Sequence, residues 1–234
     1  MSKLTNLQAY FLSILALIIF APAPSVGVLL ARMNLDANFG ILAWILAKIW
    51  LFVLPFIWLV FVEKNRLTVL KFKKDGVIFG IILGIIMLIA IWGSFYLFGK
   101  NTVDIPAMKN KLSAFHLTDI SIYLACFLYW TVINSFLEEF IFRYFFFEKL
   151  EVIFQAQITA AILAAIIFTI HHSIALGLYV DWKINILASS AVFLAGFLWN
   201  LLFIKYRSLY PGYIAHIFAD IGVFGLGFYL LFIA

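Results

Sequence analysis

The chain has 234 residues, of which 66% are hydrophobic and 12% charged, with a mean hydropathy of +1.13 and a formal net charge of +5. A soluble fold of this length cannot hide so much apolar surface, so the composition excludes a water-soluble globular protein and indicates an integral membrane protein. The basic excess calls for no nucleic acid, because loop asymmetry across a membrane explains it and anionic lipid is the natural counter-charge.

A helix needs about 20 mostly apolar residues to cross the hydrocarbon core. Uncharged runs of that size predict an all-α, polytopic helix bundle of about seven transmembrane helices, with room for an eighth. The predicted spans are 7–30, 39–62, 76–98, 120–145, 156–178, 184–204 and 211–232. The runs are continuous rather than alternating, which argues against a closed barrel. No internal repeat or domain-sized change in composition interrupts them, so residues 1–234 are expected to form a single membrane domain, with a motif-bearing core over about 118–234.

The first run follows Lys3 and contains Ala21-Pro22-Ala23, features that resemble a secretory signal and its cleavage site. It continues uncharged to Leu30, longer than a usual signal core, and is expected to be a retained span kinked at Pro22 and Pro24. Lys48 is a charge within the second span that either snorkels to an interface or faces a cavity and pairs with Glu139 or Asp220. The stretch from Glu63 to Asp75 carries five basic residues and is expected to rest on cytoplasmic headgroups. The longest polar connection, Lys100 to Asp119, suits either a lid or an outer loop. Cys126 stands alone, which excludes an intrachain disulfide and a cysteine metal cluster.

Orientation follows from Lys and Arg. With a cytoplasmic N-terminus the inner segments hold Lys3, Lys64, Arg66, Lys71, Lys73, Lys74, Arg143, Lys149, Lys205 and Arg207. The outer ones hold Arg32, Lys100, Lys109, Lys111 and Lys183, a ratio of ten to five that favours N-in. A short chain without soluble appendages suggests a prokaryotic plasma membrane.

Against this apolar background the polar residues of the fourth span stand out. Glu138, Glu139 and Arg143 lie in Phe136-Leu137-Glu138-Glu139-Phe140-Ile141-Phe142-Arg143, and ionisable groups inside a membrane are costly enough to be functional candidates by default. Adjacent helical residues point about 100° apart, so the two glutamates are expected to do different jobs. Arg143 follows Glu139 by four residues, a spacing that suits an ion pair and leaves Glu138 for chemistry. A carboxylate in a partly wet, low-dielectric cavity can take a proton from water and return it to a leaving amine, which makes Glu138 the candidate general base. Asn134 precedes it by one turn and can hydrogen-bond Glu138 or a substrate backbone.

Two further polar positions follow. Phe168 and His172 share a helix face, whereas His171 points elsewhere. If the chain from Glu138 to His172 is a helical hairpin, its midpoint is Gln155, inside the only plausible turn, 151–157, and the two residues sit at similar distance from that turn. His216 and Asp220 are again four apart, near the start of the last span. As a donor, His216 suits the oxyanion formed when water attacks an amide. An ionised Asp220 would repel that oxyanion, so it is expected to be protonated, to orient His216, or to bind a metal. A rigid bundle sets His172 late in its span and His216 early in its own, a depth difference of about 10 Å. Tilt, or a dipping segment from Lys205 to Gly212, would remove it.

Together the motifs EExxxR (Glu138, Glu139, Arg143), FxxxH (Phe168, His172) and HxxxD (His216, Asp220) resemble those of the CPBP family of CAAX-prenyl endopeptidases and bacteriocin-processing, or Abi, proteins, over about 135–223. The resemblance implies an all-helical intramembrane endopeptidase whose site opens toward the cytoplasmic side. Glu138 and His172 would activate the water, His216 and Asp220 would form the oxyanion site, and Glu139 and Arg143 would support the helix. The last position is more typically Asn, so Asp220 is a departure. Zn²⁺ is a possible cofactor, and Glu138, His172, His216 and Asp220 could ligate it. No HExxH spacing is present, and a metal-free glutamate mechanism is favoured. The implied partners are the lipid bilayer and a membrane-anchored peptide or protein substrate. The alternative is a catalytically silent scaffold or bacteriocin-immunity protein of the same fold, and a proton-coupled transporter ranks last for want of paired halves.

Overall fold

The computed structural model describes residues 5–32, 37–64, 71–100, 103–113, 115–177 and 180–234. Lys3 and Arg66 of the charge tally and the span end at Leu178 fall outside the described residues. Among those described, every regular element is a helix. Seven helices are long and apolar enough to cross a membrane: α1 (Asn6–Leu30), α2 (Ile45–Val62), α3 (Lys74–Gly99), α4 (Ile120–Phe154), α5 (Gln157–Leu176), α6 (Trp182–Tyr206) and α7 (Tyr210–Phe232). They coincide with the seven predicted runs, and the protein is an integral membrane protein.

Helix α1 is interrupted at Ala21 and Pro22 and resumes at Ala23, as expected where prolines remove backbone donors. Helix α4 runs on past the predicted end at residue 145. Its 35 residues far exceed the about 20 that cross a hydrocarbon core. It is wound as π-helix at Tyr129–Asn134 and Phe140–Phe146, on either side of the glutamate pair. It stops where Gln155 takes a left-handed φ of 50°, at the predicted turn.

The chain forms two compact units, each built from two separate stretches. One comprises Met1–Leu70 and Phe140–Lys205, the other Lys71–Glu139 and Tyr206–Ala234, so the two halves of α4 belong to different units.

In the first unit Phe20 packs edge-on against Trp58 and Phe145, and the Trp50 indole donates to the Ile19 carbonyl at 2.9 Å. Ala160, Ala161, Ala164 and Ala165 make a fully buried small-residue face on α5, where Asn200 of α6 donates to the Ala161 carbonyl at 2.9 Å. Lys149 meets Glu63 at 2.6 Å, with both side chains largely buried, and the Trp58 indole donates to the other Glu63 oxygen at 2.8 Å. Lys48 lies over the Phe52 ring at 5.1 Å.

In the second unit α3 presents Gly76, Gly80 and Gly84 at successive four-residue steps to the start of α7. A methyl group at Gly76 would lie 2.7 Å from the Pro211 ring, one at Gly84 would lie 2.7 Å from Phe218, and one at Gly80 would strike the Pro211 carbonyl oxygen. This close approach fixes α7 against α3. The turn into α7 is short: Arg207 adopts φ 45°, Ser208 donates to the Lys71 carbonyl at 2.7 Å, and Pro211 opens the helix. Tyr123 and Tyr213 donate to the carbonyls of Phe224 and Val132, linking α7 to the first half of α4. The connection from Lys100 to Asp119 contains the helix Ile105–Ser113, which buries none of its side chains. Asp119 then caps α4 by accepting from the backbone of Ser121 and Ile122.

Candidate intramembrane carboxylate and histidine site

The second unit brings together Asn134, Ser135, Glu138, Glu139, His216 and Asp220. Asn134 and Ser135 lie where α4 passes from π to α geometry, and the two glutamates end that short α segment. The π turn matters here, because the Ser135 backbone N–H bonds the Trp130 carbonyl five residues back rather than four. Such turns cost some hydrogen-bond geometry and occur often at functional positions.

The Asn134 amide donates to Glu138 Oε1 at 2.8 Å, the contact that the one-turn spacing suggested. His216 Nδ1 lies 3.0 Å from Glu139 Oε1. A carboxylate accepts, so Nδ1 carries the proton and its partner sets the ring's orientation. Nε2 then faces Glu138 Oε2 and Asp220 Oδ2, each 3.8 Å away. Glu139 is fully buried, His216 and Glu138 nearly so, and Asp220 is the most accessible of the four at 19% side-chain exposure. Ser135, also fully buried, donates to Asp220 Oδ2 at 2.5 Å.

The remaining motif residues are in the first unit. The Phe168 and His172 rings are 4.3 Å apart, so the pair does share a face. His172 Nδ1 lies 2.9 Å from the Phe168 carbonyl oxygen. That oxygen can only accept, so Nδ1 is the donor. His171, set aside on spacing, is the more buried of the two histidines and stacks on Phe142 at 5.3 Å. The Arg143 guanidinium lies buried over the Phe168 and Trp199 rings, at 4.8 and 5.0 Å.

Spacing alone did not disclose two features. One is Glu139 as the partner of His216. The other is Ser135, although Thr131, Asn134, Ser135 and Glu138 form a polar stripe at helical spacing in an otherwise apolar run.

Among known families, residues 120–222 match the model described as "Type II CAAX prenyl endopeptidase Rce1-like". The matched region runs from the start of α4 into α7 and holds all three motifs, while α1 to α3 lie outside it. The match agrees with the CPBP resemblance and supports a protease of the CAAX type. Comparisons with curated proteins and with solved structures gave no match.

In the second unit His216 Nε2 and one carboxylate oxygen each of Glu138 and Asp220 are donor types that Zn²⁺ takes. Tetrahedral Zn²⁺ with bonds of about 2.05 Å separates its ligands by about 3.3 Å. The 3.8 Å from His216 Nε2 to each of two carboxylate oxygens is slightly wider than that. Glu139 on Nδ1 is the kind of outer partner that orients a ligating histidine. Such an ion would polarise a carbonyl and acidify bound water.

Proposed function

We propose that the protein is an intramembrane endopeptidase that hydrolyses a peptide bond of a membrane-associated, CAAX-type substrate. The observation that carries this reading is the buried group of Glu138, Glu139, His216 and Asp220 inside two apolar helices. A chain that needed only to pack would have little reason to keep it.

Glu138 takes a proton from the water whose oxygen attacks the scissile carbonyl, then delivers it to the amine as the carbon–nitrogen bond breaks. Asn134 holds Glu138 Oε1 for that exchange. His216, fixed through Nδ1 by Glu139, directs Nε2 toward the developing oxyanion. To donate there Nε2 must also bear a proton, and the surrounding carboxylates supply the compensating charge. His172 shares in water activation, an assignment that rests on the FxxxH motif. Arg143 buttresses the first unit through its aromatic contacts. We favour a metal-free mechanism, with Glu138, His172, His216 and Asp220 as the ligands if Zn²⁺ is required. The charge asymmetry supports a cytoplasmic N-terminus, and we assign the protein to a prokaryotic plasma membrane.

The test is mass-spectrometric profiling of new peptide termini in membranes containing the protein or its Glu138→Ala variant at equal folded levels. Termini lost in the variant establish proteolysis and identify substrates. Identical profiles would replace this reading with a silent scaffold or immunity protein of the same fold.

A further inference from the structure

We propose that Ser135 is a positioning residue whose hydroxyl ties down Asp220 and keeps that carboxylate off His216 Nε2. The proposal rests on the endopeptidase reading and adds a residue to it.

His216 and Asp220 stand four apart on α7, a spacing at which side chains meet. With Nε2 protonated, as the proposed reaction requires, a ring N–H and a carboxylate so placed would close to about 2.8 Å if nothing restrained them. The observed separation is 3.8 Å, while the same Asp220 oxygen is 2.5 Å from Ser135 Oγ. The hydroxyl has a single proton, and the Trp130 and Thr131 carbonyls also lie within 2.8 and 2.9 Å of it. The carboxylate takes that proton, as the nearest acceptor and the one able to carry a charge. The π turn hands the Ser135 backbone N–H to Trp130, and from that turn the serine hydroxyl reaches Asp220 on α7. With Ser135 fully buried, water cannot readily substitute for its hydroxyl.

Two consequences follow for the proposed reaction. The Ser135 bond offsets part of the negative charge of Asp220 where an oxyanion would form. It also holds the Asp220 carboxylate at 3.8 Å from Nε2. At a position where an amide would need no such restraint, Ser135 makes a carboxylate tolerable.

The experiment uses the full chain in proteoliposomes with an internally quenched, farnesylated CAAX peptide as probe. Ser135→Ala is expected to lower turnover by about 10- to 100-fold with KM changed less than about twofold, the loss due to one hydrogen bond to a charged group. In an Asp220→Asn background the same change should cost less than about threefold, because a neutral amide competes weakly for Nε2. Independently of activity, the ¹⁵N resonance of His216 Nε2, assigned by its absence in His216→Gln, should shift toward a hydrogen-bonded value in Ser135→Ala. Wild-type turnover in Ser135→Ala, equal losses in both backgrounds, or an unmoved resonance would overturn the proposal. If the wild-type protein cleaves the probe no better than Glu138→Ala or protein-free liposomes, the endopeptidase reading fails, and the His216 resonance alone decides the role of Ser135.

Discussion

Two of the groups of buried charge among the described residues are built differently. In the first unit Lys149 and Glu63 meet at 2.6 Å, one cation against one anion, with the Trp58 indole on the second carboxylate oxygen. In the second unit three carboxylates surround one imidazole, and only one lies within hydrogen-bonding distance of it, the other two standing at 3.8 Å. A compact, neutral pair with its hydrogen bonds made is a packing device. A group in which carboxylates flank an imidazole with room between its members suits the handling of a proton, and for that reason we propose chemistry for the second and architecture for the first.

Substitutions that separate activity from stability sharpen this contrast. The largest effect is expected from Glu138→Gln, which keeps volume and a hydrogen bond to Asn134 while removing the base. Turnover should fall by about 10²–10⁴-fold, with thermal unfolding close to that of wild type. A large loss of stability with normal activity per folded molecule would merge the two groups into one structural class. Lys149→Ala should do the reverse, destabilising the fold by about 3–5 kcal/mol because a carboxylate is left buried without its cation. Activity per folded molecule should stay near wild type, as measured after detergent-stability normalisation.

A smaller effect concerns the scaffold of the reactive group. Gly80→Ala places a methyl against the Pro211 carbonyl at the foot of the helix that carries His216, and strain of about 1–3 kcal/mol should appear in unfolding. An unchanged midpoint would show that α3 does not hold α7 closely. The smallest effect is expected from chelation. Prolonged treatment with a zinc chelator should leave cleavage of the farnesylated probe intact, whereas loss restored by added Zn²⁺ would reassign Glu138, His172, His216 and Asp220 as ligands.

Legibility from sequence varied with the range of the interaction. The Phe168 and His172 pair and the Asn134 contact to Glu138 were accessible because each spans a single helical turn, so spacing predicts the meeting. The turn at Gln155 was accessible because polarity rises there between two apolar runs. The continuation of α4 to Phe154 was not, since its last two turns carry the charges that ordinarily signal a helix leaving the membrane. The division into two compact units was equally hidden, because composition does not mark a boundary between Glu139 and Phe140.

The sequence by itself determined the membrane class, the seven helices, the three motifs and the residues that can do chemistry. Hydrophobic length and charge are local properties, and a bilayer enforces them without reference to tertiary contacts. Tertiary structure alone decided which residue holds which. The bond from Glu139 to His216 bridges 77 positions and that from Ser135 to Asp220 bridges 85, distances over which spacing carries no information. Those pairings depend on α7 lying close to α4 in the second unit, a placement secured by three glycines of α3 and two tyrosine hydroxyls.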